Sequence, residues 1–414
     1  MKTPLLAALF CKATASKGRI ALQAEGGEVE FRKVELTALE KQPMFSKIAV
    51  LVVTLSVPLS AVPVFIGTNT GSAAGGSKGI YLADFDPAAG KLSKPVLAAE
   101  YRQPGFLALH PSKPVLLAVG APRQAFADRT SAVAAFAIEP GPKLRFLGEV
   151  SSAGKGACHL AVDPTGMTVA VANYGDGRIS TLRLDENGVP GAPVSVITNT
   201  GSGPETSRQE GPHAHGVYFD RAGTRLYVPD LGLDRVWIYP FDPATSKLGA
   251  PLPSLVTAPG AGPRHLALSA DEEFAFVVNE LDNTVLVAKR ENGGFTGGVA
   301  VSTLPEGFSG KNTTAEVELS PDGRFLYASN RGHDSIAVCR RVGGTVSLVQ
   351  NAPCGGRTPR HFKISPCGRW LLCAHQDSHT ISVLPRDPGS GRLGVPVSTV
   401  PSPNPICLLF LTKS

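Results

Sequence analysis

Residues 211–242 read GPHAHGVYFDRAGTRLYVPDLGLDRVWIYPFD, and this stretch sets the pattern that most of the chain repeats. Apolar and polar residues alternate over 215–219, 224–229 and 235–241, with short runs rich in Gly and Asp between them. Alternation with a period of two, interrupted by Gly and Asp, is typical of antiparallel strands rather than helices. The stretch therefore predicts three consecutive strands joined by turns.

The same unit recurs along the chain, and its copies can be aligned on the residue that ends the first strand. These residues are His110, Asp163, Asp220, Ser269, Ser320 and Ser365. Neighbouring copies are 53, 57, 49, 51 and 45 residues apart. A period of about 40–50 residues with several strands in each unit predicts the blades of a β-propeller.

The two ends of the repeat region complement each other. The C-terminal segment NPICLLFL, residues 404–411, matches the start of the preceding unit at 358–365, whereas the early strands at 63–71 and 79–86 have no first strand before them. We expect the C-terminal strand to pair into the N-terminal blade and close the ring, because closure removes an exposed sheet edge. The prediction is an all-β, seven-bladed β-propeller over residues 62–414.

Composition agrees with this class and excludes others. The chain has 414 residues, of which 45 are Gly, 35 are Pro and 18% are charged, as expected for strands with many turns. The net charge of +6 is modest and scattered, without a Lys/Arg run, which argues against nucleic-acid binding. We expect a monomer that acts on a small molecule and has no stable membrane span.

Residues 1–43 lie outside the repeat. Within them, residues 18–40 form a strand-turn-strand pattern around a Gly-Gly turn. This hairpin resembles the end of the 3-keto-disaccharide hydrolase domain, a laminarinase-like jelly roll. Two strands are too few to bury a core. We interpret 1–43 as a leader that is either the remnant of such a domain or the product of a misassigned start.

Residues 44–61 have the three-part layout of a secretory signal. Lys47 precedes an apolar run over 48–59, and the small residues Ser60 and Ala61 follow it. The apolar run is too short for a comfortable membrane span, although Leu59 fits poorly at the third position before a cut after Ala61. If Met44 is the working start, we expect a periplasmic or secreted protein, and otherwise a cytoplasmic one. The alternative for this segment is a buried strand.

The sequence offers little for covalent or metal chemistry. It has no Gly-x-Ser-x-Gly, Walker or His-Glu-x-x-His motif. Seven cysteines have no CxxC spacing, and Cys158, Cys339 and Cys407 fall on predicted strands as small apolar residues. In an oxidising compartment Cys354 could pair with Cys367 or Cys373, and both options stay open. We expect neither a cofactor nor a metal.

Polar residues recur where the innermost strands of the blades begin. In a propeller these strands surround a central channel, so residues at one end of them meet across a funnel. Any one of these side chains could be merely solvated or packed, and recurrence at one phase of the blade favours a site. The candidates for substrate binding are His159, His213, His265, Glu316, Arg360 and His361.

Four motifs resemble those of the seven-bladed propeller lactonases, a family that includes bacterial propeller-type 6-phosphogluconolactonases and carboxy-cis,cis-muconate cyclases. They are Gly-Pro-His-Ala-His at 211–215, Gly-Pro-Arg-His at 262–265, Val-Asn-Glu-Leu at 278–281 and Ser-Asn-Arg-Gly-His-Asp-Ser-Ile at 329–336. The resemblance covers residues 63–411. It implies an active site made of His215, Arg264, Glu280 and Arg331.

The chemistry of a lactone hydrolase suits those four residues. Water must lose a proton as it attacks the carbonyl, and an oxyanion develops that a fixed guanidinium can stabilise. We expect Glu280 to remain ionised between Arg264 and Arg331, which leaves His215 as the general base. We also expect the nearby carboxylate to raise the pKa of His215.

Three functions remain compatible with the sequence. The leading one is hydrolysis of a sugar lactone, of the 6-phosphogluconolactone type or a related aldonolactone. The second is a muconate-type lactonizing cycloisomerase that uses the same residues in the reverse sense. The third is a propeller that binds a partner without catalysis, in which case the Arg-Glu set is an ion-pair network between blades.

Overall fold

The computed structural model describes residues 61–70, 76–141, 143–291 and 293–411. The predictions for the leader 1–43, including its hairpin at 18–40, and for almost all of the signal-like segment 44–61 fall outside these residues. Among the described residues, no helix is long and apolar enough to cross a membrane.

The described chain is all-β, and its strands form seven separate antiparallel sheets. Blade 1 combines the N-terminal strands with the last strand, and blades 2–7 each take consecutive strands. Blade 1 contains β1 Val62–Thr68, β2 Gly79–Asp86, β3 Lys91–Leu92, β4 Val96–Glu100 and β30 Pro405–Phe410. Blade 2 contains β5 Arg102–Leu109, β6 Val115–Ala121, β7 Ala132–Ile138 and β8 Leu144–Ser151; blade 3 contains β9 Ala157–Val162, β10 Thr168–Asn173, β11 Arg178–Leu184 and β12 Pro190–Thr198.

The other four blades follow the same order, with one short 3-10 helix at Leu231–Leu233. Blade 4 contains β13 Tyr218–Phe219, β14 Arg225–Asp230, β15 Arg235–Asp242, β16 Lys247–Leu248 and β17 Leu252–Val256; blade 5 contains β18 Pro263–Leu268, β19 Phe274–Asn279, β20 Thr284–Glu291 and β21 Gly294–Ser302. Blade 6 contains β22 Thr313–Leu319, β23 Phe325–Arg331, β24 Ser335–Val342 and β25 Thr345–Pro353; blade 7 contains β26 Pro359–Ile364, β27 Trp370–His375, β28 Thr380–Pro385 and β29 Ser398–Pro401.

The residue that marks each copy of the sequence repeat caps the turn between the first two strands. Asp220 accepts the backbone N–H groups of Thr224 and Arg225 through Oδ1, at 2.7 and 2.9 Å. The Ser320 hydroxyl accepts the N–H of Phe325 at 3.0 Å. A short polar side chain at this position replaces hydrogen bonds that the turn cannot make within itself, which explains why the repeat is readable in the sequence.

Seven apolar clusters hold neighbouring blades together. Each cluster among the described residues combines side chains of two adjacent blades, as Phe136 of blade 2 and Phe65 of blade 1 do in one of them. The seven clusters cover all seven neighbouring pairs, including the pair formed by blades 7 and 1. The described residues therefore form a propeller ring of seven blades, as the repeat predicted.

In blade 1 the innermost strand comes from the far end of the chain. Strand β30 pairs antiparallel with β1, from Val64 opposite Phe410 to Thr68 opposite Pro405. Its backbone also meets the loop that follows β1, where the N–H of Asn69 bonds to the carbonyl of Asn404 at 3.1 Å. Four strands from one end of the chain thus share a sheet with one inner strand from the other.

The innermost strands carry an irregularity that the sequence did not predict. In β9, β18, β26 and β30 one residue has no partner on the second strand, and these residues are Cys158, Arg264, Arg360 and Ile406. An extra residue of this kind is a β-bulge, which turns side chains and commonly lies beside functional sites. Blade 4 has a similar irregularity between Ala214 and Tyr218, so its predicted strand 215–219 shortens to Tyr218–Phe219.

Candidate active site

One buried carboxylate gathers three arginines from different parts of the ring. Glu280 follows β19, and its Oε2 lies 3.0 Å from Nε of Arg264 and 2.9 Å from an Nη of Arg331. Its Oε1 lies 2.6 Å from an Nη of Arg208. Burial raises the pKa of Glu280, but Arg331, Arg264 and Arg208 outweigh that effect and lower it to about 2. Glu280 is therefore ionised throughout the physiological range.

Backbone carbonyls fix two of these arginines independently of the carboxylate. An Nη of Arg264 donates to the carbonyl of Ala315 at 2.6 Å, and an Nη of Arg331 donates to the carbonyl of Thr314 at 2.7 Å. Both acceptors belong to β22, so one inner strand orients guanidinium groups from two blades. Guanidinium groups held in this way are preorganised to bind an anion or a developing negative charge.

His215 lies beside the same carboxylate. Its Nε2 is 4.0 Å from Oε2 of Glu280, longer than a hydrogen bond, so Glu280 orients the arginines more directly than it orients the imidazole. Burial lowers the pKa of His215 well below its usual value, and Arg264 and His265 lower it further. The expectation that Glu280 would raise this pKa is wrong, because burial and the surrounding cations prevail over one carboxylate.

Cys158 occupies the bulge of β9 next to His215. Its Sγ lies 3.8 Å from Nδ1 of His215 and 3.4 Å from the carbonyl oxygen of the same residue. Burial raises the pKa of this thiol to about 12. Only a thiolate is an effective nucleophile. Cys158 therefore lines the site as a protonated thiol and does not act as a nucleophile.

A second group of predicted residues consists of His265, Glu316 and His361, which lie on three neighbouring inner strands. His265 and His361 both contact Oε2 of Glu316, at 3.0 and 3.4 Å. Nδ1 of His361 accepts the backbone N–H of Leu408, so its proton resides on Nε2 and points at the carboxylate. Burial lowers the pKa of His361 to about 3, although Glu316 opposes the shift. These imidazoles are neutral at physiological pH.

Aromatic contacts complete this layer. The rings of His159 and Phe106 are 4.0 Å apart between centroids, and His265 lies 5.1 Å from His159 and 5.4 Å from His215. Burial lowers the pKa of His159 well below its usual value. The histidines predicted near the channel therefore form one uncharged group next to Arg264. They are His159, His215, His265 and His361.

Arg360 occupies the bulge of β26 and faces the same charges. Burial lowers its pKa to about 9, and Arg264 and Arg331 contribute to the decrease, which leaves the guanidinium protonated at neutral pH. Among the described residues no hydrogen bond or ion pair joins it to a partner. Arg360 is thus a charged group beside Glu280 whose charge is not balanced by a contact of its own.

His213 adjoins the Glu280 cluster through Tyr174. Its Nδ1 bonds to the carbonyl of Tyr174 at 2.7 Å, its Nε2 lies 3.1 Å from Oε1 of Glu210, and its ring stacks on Tyr174. These contacts hold the linker between blades 3 and 4 in place, and the ring of Tyr174 lies 5.2 Å from that of His215. The substrate-binding role of His213 remains a prediction.

Arg208 is a site residue that the sequence did not predict. It lies in the linker between β12 and β13, and an Nη also donates to the hydroxyl of Tyr174 at 3.3 Å. The one available signal was spacing, because the interval of 57 residues between Asp163 and Asp220 is the longest in the repeat. Extra length in one linker indicates an inserted loop, and this loop brings a third guanidinium to Glu280.

Comparison with known proteins agrees with the geometry. The family model described as lactonase, 7-bladed beta-propeller matches residues 63–410. The chain belongs to this lactonase family.

Two of the proteins that this chain resembles carry sugar-lactone names. It is 34% identical to the 6-phosphogluconolactonase of Bacillus subtilis (strain 168) over 353 residues, which are 84% of this chain and 97% of that protein. The periplasmic gluconolactonase of Pseudomonas aeruginosa is 30% identical, with a TM-score of 0.78, and the match covers 86% of this chain and all of that one. A structure from Lactobacillus plantarum is 30% identical, also with a TM-score of 0.78, over 85% of this chain and all of that one.

The family membership leaves the identity of the site residues as a prediction. His215, Arg264, Glu280 and Arg331, which the motifs singled out, do come together around one carboxylate. The arrangement also bears on metal binding, since three guanidinium groups around Glu280 repel a cation. The absence of a metal from the lactonase funnel remains an expectation.

Replacing Glu280 tests whether it anchors the arginines. We expect Glu280→Gln to lower the free energy of unfolding by about 3–5 kcal/mol, because removal of one partner leaves buried charges uncompensated. Urea unfolding of the variant and the parent measures the difference. The control is Glu139→Gln, which breaks the exposed pair with Arg145 and should cost less than about 1 kcal/mol. Equal losses in the two variants would contradict the anchoring role.

Proposed function

We propose that this propeller hydrolyses a sugar lactone that carries an anionic group, a phosphate or a carboxylate. The observation that carries the proposal is the imbalance of charge at Glu280. Arg208, Arg264 and Arg331 contact this one carboxylate, and Arg360 adds a fourth guanidinium beside it. The neighbouring histidines are neutral and supply no opposite charge.

A substrate anion would balance this charge. Guanidinium groups bind phosphate and carboxylate oxygens through paired N–H donors, and burial strengthens such contacts. Arg360 has no anionic contact of its own, and Nε of Arg331 is a buried donor without an acceptor among the described residues. A cleft of about 370 Å³ opens beside Arg331, and its charged lining includes Lys311 and Arg357 as well as Asp334 and Asp377. The substrate would reach Arg331 from this side.

His215 would act as the general base. Its imidazole is neutral at pH 7, so it can take a proton from water as the water attacks the lactone carbonyl. Glu280 is less suited to that step, because its pKa of about 2 makes the carboxylate a weak base. The proton on His215 would then pass to the ring oxygen as the C–O bond breaks, which gives the open-chain acid.

Arg264 and Arg331 would stabilise the oxyanion that forms on the carbonyl oxygen. Each holds a fixed orientation through one bond to β22 and one ion pair with Glu280. Donors that need no rearrangement as the charge develops lower the barrier most effectively. Glu280 is then a positioning residue, since it acts through the arginines rather than on the substrate.

The names of the relatives support lactone opening over the reverse reaction. The Bacillus subtilis relative is named a 6-phosphogluconolactonase, and the Pseudomonas aeruginosa relative is named a gluconolactonase. A cycloisomerase acting on a muconate-like diacid would use the same arginines for two carboxylates. Formation of a lactone from such a diacid, with no opening of sugar lactones, would favour that alternative.

Export is a further part of the proposal. Residues 44–61 have the layout of a secretory signal, and the similar Pseudomonas aeruginosa enzyme is described as periplasmic. A lactone outside the cytoplasm would carry a carboxylate more readily than a phosphate made by intracellular kinases. The same arginine cluster can bind either group.

The rate of lactone opening should depend on pH through His215. Because burial lowers the pKa of this imidazole below the ordinary value of about 6.5, the base stays competent at neutral pH. We expect kcat/KM to be constant from about pH 6.5 upward and to fall only in more acidic solution. His215→Gln should lower kcat by about 10²–10⁴-fold with little change in KM.

Stopped-flow or pH-indicator assays measure this profile after subtraction of the spontaneous, hydroxide-driven opening. Full turnover by His215→Gln, together with loss of turnover in Glu280→Gln, would show that the carboxylate is the base. A wild-type midpoint above about 6.5 would contradict the lowered pKa of the imidazole.

Selectivity for anionic lactones tests the substrate class. We expect kcat/KM for 6-phosphogluconolactone or an aldarolactone to exceed that for gluconolactone by about 10²-fold, an energy typical of a charge-assisted hydrogen bond. Arg360→Gln should remove most of this preference while gluconolactone is opened as before. The matched control is Arg340→Gln, which changes an exposed arginine on β24 and should leave the preference intact. Equal rates on charged and neutral lactones would overturn the proposal.

Export can be checked directly. Expression from Met44 in a Gram-negative host should yield protein in the periplasm whose new N-terminus lies near Val62. N-terminal mass spectrometry and cell fractionation give both results. An unprocessed chain found in the cytosol alone would reject export and favour a phosphorylated substrate.

A further inference from the structure

Outside the funnel, three soft donor groups meet at the joint between blades 6 and 7. Cys354 directly follows β25, and Cys373 and His375 lie on β27. The two sulfur atoms and the imidazole nitrogen all lie within 4.8 Å of one another. All three side chains are completely buried. None of them contributes to the lactone chemistry proposed above.

Equivalent joints elsewhere in the ring contain harder groups. Ser152, the residue after β8, donates its hydroxyl to Oδ1 of Asn173 at the end of β10, at 2.7 Å. Thr303, the residue after β21, donates to Oδ1 of Asn330 near the end of β23, also at 2.7 Å. In these joints a hydroxyl and an amide link the end of one blade to the second strand of the next.

The joint between blades 6 and 7 replaces each of these groups with a metal-binding type. Cys354 stands where the other joints have the hydroxyl, and His375 stands where they have the amide. Cys373 lies two residues before His375, at the position of Val171 and Ala328 in the other blades. The joint between blades 6 and 7 therefore has two thiols and an imidazole at the three positions where those other joints have a hydroxyl, an amide and an aliphatic side chain.

The hydrogen bonds around the imidazole define its tautomer. The Ser382 hydroxyl donates its one proton to the carbonyl of Cys354 at 2.6 Å. Its oxygen lies 2.9 Å from Nε2 of His375 and can only accept there, so the imidazole proton resides on Nε2. Nδ1 is left with a lone pair that faces the two sulfur atoms. Metal-binding histidines are commonly oriented by such a hydrogen bond from the other ring nitrogen.

The distances also suit a small cation. Nδ1 of His375 lies 3.8 Å from Sγ of Cys354 and 4.0 Å from Sγ of Cys373. A cation about 2.3 Å from sulfur and about 2.1 Å from nitrogen separates those ligands by roughly 3.6 Å in tetrahedral and 3.8 Å in trigonal geometry. Each sulfur atom thus already lies at nearly the distance from Nδ1 that a bound ion requires.

We propose that Cys354, Cys373 and His375 bind one thiophilic d10 cation, Cu⁺ or Zn²⁺, through two thiolates and one imidazole nitrogen. Soft sulfur ligands select these two ions over Mg²⁺ or Ca²⁺. Binding releases the thiol protons to solvent.

The ion would fasten two blades to each other. Cys354 ends the outer strand of blade 6, whereas Cys373 and His375 belong to the second strand of blade 7. The connecting loop covers the site closely, because a Cβ on Gly356 would lie 2.4 Å from Cγ of His375. A bound cation would therefore stabilise the ring at this joint and dissociate slowly.

The test uses the full-length reduced protein, stripped of metal and kept without oxygen. Titration with Co²⁺, as a spectroscopic probe for Zn²⁺, should produce a saturable sulfur-to-metal charge-transfer band at one equivalent. Competition with Zn²⁺ or with Cu⁺ bound to a chelator then gives the affinity of each ion. Saturation with the preferred ion should also raise the Tm of the protein.

The other joints supply the variants. Cys354→Ser and His375→Asn introduce the hydroxyl and the amide found at the joint between blades 2 and 3, so they should fold and lose at least about 100-fold in metal affinity. Ser382→Ala removes the hydrogen bond that orients the imidazole, together with the bond to the carbonyl of Cys354, and should weaken binding by about 10–100-fold. Cys339→Ala, which changes a buried cysteine on β24 without a histidine neighbour, is the control and should bind as the parent does.

Two results would overturn the proposal. One is the lack of a saturable charge-transfer band, or a band of full intensity that persists in Cys354→Ser and His375→Asn. The other is a purified protein in which Cys354 and Cys373 form a disulfide and which takes up no metal after reduction. Neither result depends on lactone hydrolysis, so the metal site and the proposed activity stand or fall separately.

Discussion

The balance between one carboxylate and the guanidinium groups around it is the interaction on which the funnel depends. Glu280 is ionised because Arg208, Arg264 and Arg331 surround it, and those arginines can be buried because Glu280 is there. They reach it from a linker, a bulge and a strand end in different blades. Glu280 therefore links different blades of the ring and also belongs to the candidate site. The same ion pairs serve the stability of the ring and the proposed chemistry. This dual use explains why Glu280 is poorly placed to be the proton acceptor.

The uncharged histidines follow from the same balance. Each protonated imidazole beneath the arginines would add a positive charge to a region that already has an excess, and burial makes that addition more unfavourable. The imidazoles therefore remain neutral, and a proton arriving on His215 during turnover would be released readily. A site that holds fixed cations beside neutral bases can bind an anion and remove a proton from water at the same pH.

Much of the fold could be predicted from the sequence, because each unit repeats a visible turn. Capping residues such as Asp220 and Ser320 bond to backbone N–H groups only a few residues away. Contacts between residues so close in the chain produce a pattern that can be seen in the sequence. The four motif residues could be placed together because their motifs resemble those of the seven-bladed propeller lactonases. The pairing of blade 1 strands from opposite ends also agrees with the complementary ends of the repeat.

Other features depend on distances that a sequence does not contain. Arg208 belongs to no repeated position, and the sign of the pKa shift of His215 depends first on its burial and then on the charges that surround it in space. The alternatives for Cys354 stayed open for the same reason; the structure places Cys373 beside it, whereas Cys367 lies 3.3 Å from the hydroxyl of Ser365. The bulges escaped notice because one extra residue in a strand is defined only against its partner strand.

In the evolution of a protein, a change of specificity usually conflicts with the stability of the fold. The bulges place these two requirements on different residues. Arg264 and Arg360 have no partner on the second strand, so they contribute to neither the ladder nor the apolar clusters between blades. A mutation of Arg360, which pairs with no carboxylate among the described residues, changes what the channel presents while the packing of the ring is left alone. A new specificity can therefore arise by a single substitution at such a position, without a stabilising mutation elsewhere to precede it. The ring is in this sense a constant framework in which individual channel residues can change one at a time.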